Sequence, residues 1–440
     1  MATLSSRRAT TIRVAVATVA TLAVASVGAF AYGYHHLNHN IRTFKPEGIS
    51  SSRPAPATPA APTAQAPINL LLIGSDSRSN GNISLGGGTN VDGARSDTTI
   101  LLHISGDRKH AIGVSIPRDS LVDIPACEAN GTSYPAQTHT MFNNAFATGN
   151  LPAGNPSCTQ NTVESMTGIR VDHTIVLDFN GFATMSSAVG GVPVCVPQVN
   201  STWLEQAYGV TLSPGMQTLS GKAALEYVRA REGFGDNSDI GRMKRQQAFL
   251  SALVKKILDT GVYTNPITLY ELADAATSAL TVDPSLDSVT ALENLSLQLK
   301  SVPLKNLEFV TIPWQYEGDR VGLIQPDTDI LWALLRADRT LEGADASGAS
   351  PSASPSASAA TDGATPAATP SATTSASASA PSAADNGVKT QAKAKAAATN
   401  GTGADSSANA SPIPSVIPSG ITDNIRPADS DPCANLNYGQ

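Results

Sequence analysis

The chain of 440 residues is short of charge and has no basic surplus: 15% of its residues are Asp, Glu, Lys or Arg, and the formal net charge is −7. Nucleic-acid binding needs a basic face, so this balance argues against a nucleic acid as partner. Internal repeats are lacking, which excludes a repeat array. Cysteine is limited to Cys127, Cys158, Cys195 and Cys433, at spacings unlike those of a zinc site. From Ala344 to Ser411 there is no large apolar side chain apart from Val388, and Ala, Ser, Pro, Thr and Gly dominate. Such a stretch cannot bury enough surface to offset its ordering entropy, so it is expected to be a disordered spacer. Residues 47–66 read in the same way. One block, about 67–341, remains to build a single sizeable core.

The N-terminus carries a targeting signal. Arg7, Arg8 and Arg13 precede an uncharged, mostly apolar run from Val14 to Tyr34. About 21 residues suffice to cross a bilayer as a helix, and the positive flank predicts an N-terminus inside the cell. A signal peptide cleaved near Ala29-Phe30-Ala31 is the alternative; either way the main block is exported. The expected organisation is a cytoplasmic N-terminus (1–13), a transmembrane helix (14–34), a linker (35–66), an extracytoplasmic domain (67–341), a disordered linker (342–411) and a cysteine-bearing tail (412–440). The cysteines suit the oxidising compartment this implies and permit three pairings. The preferred set joins Cys127 to Cys158, which bracket a Gly/Asn/Pro-rich stretch, and leaves Cys195 for Cys433; unpaired thiols are the alternative. His35, His36 and His39, just beyond the apolar run, read as membrane-interface residues rather than metal ligands.

Against this low charge, arginine and aspartate cluster in Gly74-Ser75-Asp76-Ser77-Arg78, Arg95-Ser96-Asp97-Thr98, Ile116-Pro117-Arg118-Asp119, and Arg229-Ala230-Arg231 followed by Asp239-Ile240-Gly241-Arg242. Arginine forks match phosphate oxygens and paired carboxylates match a divalent cation, so the set describes a site for a metal-bound polyphosphate. Periodicity brings its parts together. Ile68–Ile73, Thr98–Ile104 and His110–Ile116 read as strands, and the turn-rich link Ser105-Gly106-Asp107-Arg108-Lys109 makes the last two a hairpin. With the first strand antiparallel to the second, Asp76/Arg78, Arg95/Asp97 and Arg118/Asp119 arrive at one rim. The Gly/Asn-rich connection Ser79–Ala94 reads as a flap over it.

The second half reads as α/β, with strands over Val171–Leu177, Val192–Val196 and Leu307–Ile312. Helices are predicted over Lys222–Val228, Asp287–Lys300 and Asp327–Asp338. Another is predicted from Gly241 to about Thr260, with Asp239 as its N-cap. Arg229 and Arg231 are expected on extended chain, since on a helix they would face apart. Arg242 and Gln246 fall one turn apart on one face, and an arginine in a first helical turn makes a good phosphate site. Arg108, Lys109, Lys244 and Arg245 read as solvated surface charges.

The stretches Leu70-Leu71-Leu72-Ile73-Gly74-Ser75-Asp76-Ser77-Arg78, Ala94-Arg95-Ser96-Asp97-Thr98, Ser115-Ile116-Pro117-Arg118-Asp119-Ser120, Val171-Asp172-His173 with Phe179-Asn180-Gly181-Phe182, and Leu225-Glu226-Tyr227-Val228-Arg229-Ala230-Arg231 continuing through Asp239 to Gln247 resemble, in order, the motifs of the LytR-CpsA-Psr family. These are extracytoplasmic transferases that attach glycopolymers to peptidoglycan. The resemblance implies a three-layer α/β/α sandwich with a central mixed sheet, a polyprenyl-pyrophosphate-linked glycan as donor, peptidoglycan as acceptor, and Mg2+ or Mn2+ as the cation. It implies Asp76 and Asp97 as metal residues. It implies Arg78, Arg95, Arg118, Arg229, Arg231, Arg242 and Gln246 as pyrophosphate-binding residues, with Asp97, Arg95 and Arg118 at the catalytic centre. The residues themselves leave two other functions open: a hydrolase that cleaves lipid pyrophosphates with water, and a non-catalytic envelope protein that binds anionic glycans.

Overall fold

The computed structural model describes residues 3–59, 65–77, 94–259, 265–343, 414, 416–434 and 436. Arg78, almost all of the predicted flap and the 344–411 spacer lie outside the described residues. Eight strands form one mixed sheet: β1 (Arg42–Thr43), β2 (Ile68–Ser75), β3 (Ser96–Ile104), β4 (Ala111–Ser115), β5 (His173–Asp178), β6 (Leu280–Val282), β7 (Leu307–Thr311) and β8 (Arg426–Pro427). Their spatial order is β1-β6-β5-β2-β3-β4-β7-β8. The longer helices are α1 (Thr3–Asn40), α2 (Pro156–Thr167), α3 (Phe179–Ala188), α4 (Gly221–Arg229), α5 (Asp239–Asp259), α6 (Pro266–Ala279), α7 (Val289–Lys300) and α8 (Asp327–Arg336).

β2 is central because its apolar run is buried on both faces, as a strand flanked by two helical layers must be. Leu71 and Ile73 enter one core with Leu101, Val163 of α2 and Trp332 of α8. Leu70 and Leu72, on the opposite face, meet Leu250 of α5 and Leu299 of α7. The three-layer α/β/α sandwich is therefore present. β2 runs antiparallel to β3, and β3 to β4, so the end of β2, the start of β3 and the end of β4 share one rim. Gly181 lets α3 approach the end of α6, because a Cβ there would lie 2.6 Å from Cβ of Ala279.

Several boundaries differ from the sequence reading. Residues 35–66 are not a plain linker: α1 continues to Asn40, and β1 pairs in parallel with β6. Further on, Arg53 forks onto Glu164, with Nη2 2.5 Å from Oε1 and Nε 3.0 Å from Oε2. Glu164 is buried on α2, and a buried carboxylate needs such a partner; composition alone hides this role. The tail is likewise part of the sheet, for β8 pairs antiparallel with β7 and Ile421 is fully buried. Disulfides join Cys127 to Cys158 and Cys195 to Cys433, the preferred pairing. Arg108 is no solvated charge: at φ 58° it donates through Nη1 to Ser105 O and Ala66 O and through Nε to Gln298 Oε1. Finally, α5 starts at Asp239 and is capped by Ser238, whose Oγ accepts from Gly241 N at 2.9 Å. The serine cap releases the Asp239 carboxylate for another task.

Candidate active site

The rim begins where β2 and β3 part. Their register breaks after Gly74, and Asp76 and Arg95 then bind each other: Asp76 N donates to Arg95 O (3.0 Å), and Arg95 N to Asp76 Oδ1 (2.5 Å). Beside this pair four side chains close a ring of alternating charge. Arg118 Nη1 lies 2.5 Å from Asp97 Oδ1, and its Nε lies 3.7 Å from Asp239 Oδ1. Arg242 Nη2 lies 2.7 Å from Asp239 Oδ1, and its Nη1 lies 3.8 Å from Asp97 Oδ1. Asp119, next in the chain, stands 3.8 Å from Arg118 Nε, as an orienting residue would. Burial works against the charge on Arg118, but Asp97, Asp239 and Asp119 outweigh it and hold its pKa above the ordinary value. Arg242 is buried more deeply, and there burial prevails over Asp239 and Asp97 and lowers the pKa. Nε of Arg118, Nε of Arg242 and Oδ2 of Asp239 are buried without a hydrogen bond, so the ring keeps donor and acceptor capacity.

An apolar pocket of about 200 Å³ opens from the same rim, between the second face of the sheet and helices α3, α4 and α5. Leu72, Ile100, Ile175, Phe182 and Phe249 form its walls. Its charged lining, Asp97, Asp178 and Arg229, stands at strand or helix ends, with Gln246 one turn beyond Arg242. Arg229 is the last residue of α4. Its guanidinium lies 4.8 Å from the Phe179 ring centre and 5.6 Å from that of Tyr208, and Nη1 is 3.4 Å from Glu226 Oε1. Burial pushes the Glu226 carboxyl up to about 7, against the pull of Arg229 and Lys222.

Among the residues named from sequence, Asp97, Arg118 and Arg242 meet in the ring, Arg229 and Gln246 line the pocket, and Asp76 and Arg95 adjoin them. Arg229 is not on extended chain as expected but ends α4; only the next residue, Ala230, is extended, and it turns Arg231 out to an exposed position. Arg245 is a correction. It is buried, its Nε donates to Tyr227 O at 3.0 Å, its Nη2 donates to Ala230 O, and it stacks 4.3 Å over Phe234. It thus holds the turn that presents Arg229. Its position one helical turn before the core residue Phe249 was the available signal. Asp239, read as a cap, is a ring member instead.

Among the described residues no group of three or more His, Cys, Asp or Glu side chains forms a metal cage. A hard cation that completes its shell from phosphate needs only one or two protein oxygens and no such cage.

The structure thus places a charged ring at the strand ends of an α/β/α sandwich, beside the mouth of an apolar pocket. A model of the LytR_cpsA_psr family matches residues 34–334. The chain belongs to that family. It is 32% identical over 270 residues to the cell wall biosynthesis protein LcpA of Corynebacterium glutamicum, across 57% of this chain and 50% of that relative. It is 32% identical over 239 residues to the polyisoprenyl-teichoic acid–peptidoglycan teichoic acid transferase TagT of Bacillus subtilis, across 53% of this chain and 66% of that one. The chain thus spans between half and two thirds of the length of these relatives. The crystal structure of B. subtilis TagT aligns with 66% of this chain and 98% of its own at 23% identity, with a TM-score of 0.47, too slight a likeness to argue from.

Proposed function

We propose that the protein transfers a phospho-glycopolymer from a polyprenyl-pyrophosphate donor to a hydroxyl of peptidoglycan, forming a phosphodiester. The observation that carries this reading is the junction of pocket and ring: Asp97, Arg229 and Gln246 line the same cavity as Leu72, Ile175 and Phe249. A polyprenyl chain fits the apolar part, and its pyrophosphate then meets Arg118, Arg229 and Arg242, with Arg78, Arg95 and Arg231 assigned to the outer phosphate. The name of the relative TagT, which describes transfer of polyisoprenyl-linked teichoic acid to peptidoglycan, supports the same reading.

In the proposed reaction the acceptor hydroxyl oxygen forms a bond to the sugar-proximal phosphorus. The bond from that phosphorus to the bridging oxygen breaks, and polyprenyl phosphate leaves with the electron pair. Asp97, oriented by Arg118, accepts the hydroxyl proton. The N–H groups of Arg118 and Arg242 stabilise negative charge as it spreads over the phosphoryl oxygens, which is where most catalytic help lies in phosphoryl transfer. Asp76 and Asp97 would hold Mg2+ or Mn2+, whose contribution is to neutralise that charge. We assign α1 as the membrane anchor: its stretch Val16–Asn40 is long and apolar enough to cross a bilayer. The basic flank Arg7, Arg8 and Arg13 supports a start inside the cell, and the disulfides suit an oxidising exterior.

The test uses the full chain in detergent or nanodiscs with a short polyprenyl-pyrophosphate oligosaccharide, a peptidoglycan fragment and Mg2+, and mass spectrometry of the products. A phosphodiester adduct, lost in Asp97→Ala and Arg118→Ala, supports transfer. Polyprenyl phosphate without an adduct points to hydrolysis. Lipid binding without turnover points to a glycan-binding role.

A further inference from the structure

Helices α1 and α6 lie side by side and run in the same direction. A Cβ added at Gly33 would lie 3.2 Å from the Tyr270 ring. Higher up, His36 Nε2 is 3.0 Å from Asp274 Oδ1, and Asn40 Nδ2 donates to Asp274 Oδ1 at 2.9 Å and to Thr277 Oγ1 at 3.4 Å. Beyond them Arg42 Nη2 donates to Ser278 O at 2.7 Å. The steps from 33 to 42 in one segment therefore match those from 270 to 278 in the other. Since α6 begins at Pro266, its first turn must lie below Tyr270, towards the start of α1. At a rise of about 1.5 Å per residue, Ile267 sits about 4.5 Å lower, level with Phe30. Phe30 belongs to the apolar run Val14–Tyr34.

The polarity of both helices changes at this one height. Below it are Phe30 in α1 and Ile267 in α6, which are 76% and 69% exposed. At the boundary are Tyr34 and Tyr270, both partly exposed, as aromatic side chains at a membrane surface are. Above it come His36, Asn40, Asp274 and Thr277, which bond one another. The amides of the lower end of α6 are also provided for, because the Asn265 side chain accepts from Ile267 N and Thr268 N.

We infer that the first turn of α6, carrying Ile267, Leu269 and Tyr270, is immersed in the outer leaflet of the membrane beside α1. This rests on the reading of α1 as the membrane-spanning helix. It fixes the height of the domain and sets a lipid-contacting helix against α3, whose Phe179 and Phe182 line the pocket.

The test exploits the fact that all the native cysteines are paired. Ile267→Cys, Phe30→Cys and Tyr316→Cys, each in the full chain, are labelled with an environment-sensitive fluorophore and reconstituted in phosphatidylcholine–phosphatidylglycerol vesicles, with and without spin-labelled lipid. Leu269→Cys is a second reporter in the same turn should Ile267→Cys fail to fold. The expected result is quenching at Ile267 comparable to that at Phe30, and none at Tyr316, which is 66% exposed on the hairpin of Trp314–Glu317 and Arg320–Leu323. Quenching at Phe30, with Ile267 and Leu269 behaving like Tyr316, overturns the inference and leaves the anchor standing. Absence of quenching at Phe30 overturns the anchor and the inference with it.

Discussion

Asp239 Oδ1 lies 2.7 Å from Arg242 Nη2, one turn further along the same helix. The contact ties the start of α5 to the strand ends, because Arg242 also donates to the backbone oxygen of Asp97 at 3.2 Å. The charged ring is therefore structural in its own right: the side chains proposed for phosphate also hold the elements that present them.

Asp239→Ala is expected to destabilise the fold by about 3 kcal/mol or more, the usual cost of removing one partner from a buried ion pair. Arg242, only 2% exposed, would keep Asp97 alone as a carboxylate neighbour, at 3.8 Å. Asp239→Asn, which preserves shape and an acceptor oxygen, should lose less. Urea unfolding with the disulfides intact measures both; equal stability of Asp239→Ala and wild type would contradict the ring.

Arg118→Ala is expected to lower transfer by about a hundredfold or more, as loss of one donor to a developing oxyanion does. Asp119→Ala, which removes a neighbour 3.8 Å from Arg118 rather than a ring member, should cost far less. Rates at saturating donor separate the two. Similar losses would mean that Arg118 acts through loop structure and not on the phosphate.

Stability should fall as pH rises from about 4.5 to about 7, for a reason that can be traced to Glu226. Its folded pKa is raised by burial from 4.5 to about 7, so over that window the folded state holds a proton that the unfolded state has released. Its stabilising contribution is complete below the unfolded pKa and is lost as pH passes the folded one. Glu226→Gln should therefore match wild type near the lower limit and exceed it above the upper one. Glu308, also raised to about 7 by burial and by Glu342, titrates in the same sense, so Glu308→Gln must be measured alongside. A wild-type profile flat across the window would refute both shifts.

The sequence made the rim legible because strands alternate with a fixed period and a hairpin fixes direction; Asp97 and Arg118 could be brought together on those grounds, whereas Arg242 was pointed to by its place in a first helical turn and by the family motif. Arg245 was missed although its one-turn spacing to Phe249 could be read, since a buried arginine bonded to backbone carbonyls otherwise looks, in one dimension, like any charge on an amphipathic helix. Arg53 was hidden for a similar reason: its partner Glu164 lies over a hundred residues away, and the polar composition around it resembles that of a linker. Strand β8 was invisible too, because two residues beyond a long spacer carry no periodicity; only Cys433 hinted that the tail returns.

That return has a measurable stability. The Cys195–Cys433 disulfide spans 238 residues, and closing so long a loop is worth about 5 kcal/mol in the chain-entropy model. Cys433→Ser should lower the melting temperature, and a reductant should do so in wild type but add little in a Cys433→Ser, Cys127→Ser, Cys158→Ser background. An unchanged melting temperature in Cys433→Ser would show that β8 docks by its own packing, through Ile421, Ala428 and Leu436.

The pocket gives the sharpest separation of lipid from head group. Leu72 is on the pocket face of β2, away from the ring. Leu72→Trp fills part of a space of about 200 Å³ and, if the walls cannot yield, costs about 1–3 kcal/mol of packing, which thermal unfolding would register. Binding of a long-chain polyprenyl pyrophosphate should weaken by about tenfold or more, a difference of roughly 1.4 kcal/mol. Binding of a water-soluble pyrophosphate with no lipid chain should be unchanged, because Arg118, Arg229 and Arg242 keep their places. Equal weakening of both ligands would mean that the substitution had disturbed the rim; no weakening of either would mean that the chain lies elsewhere, and the junction on which the proposed function rests would lose its lipid half.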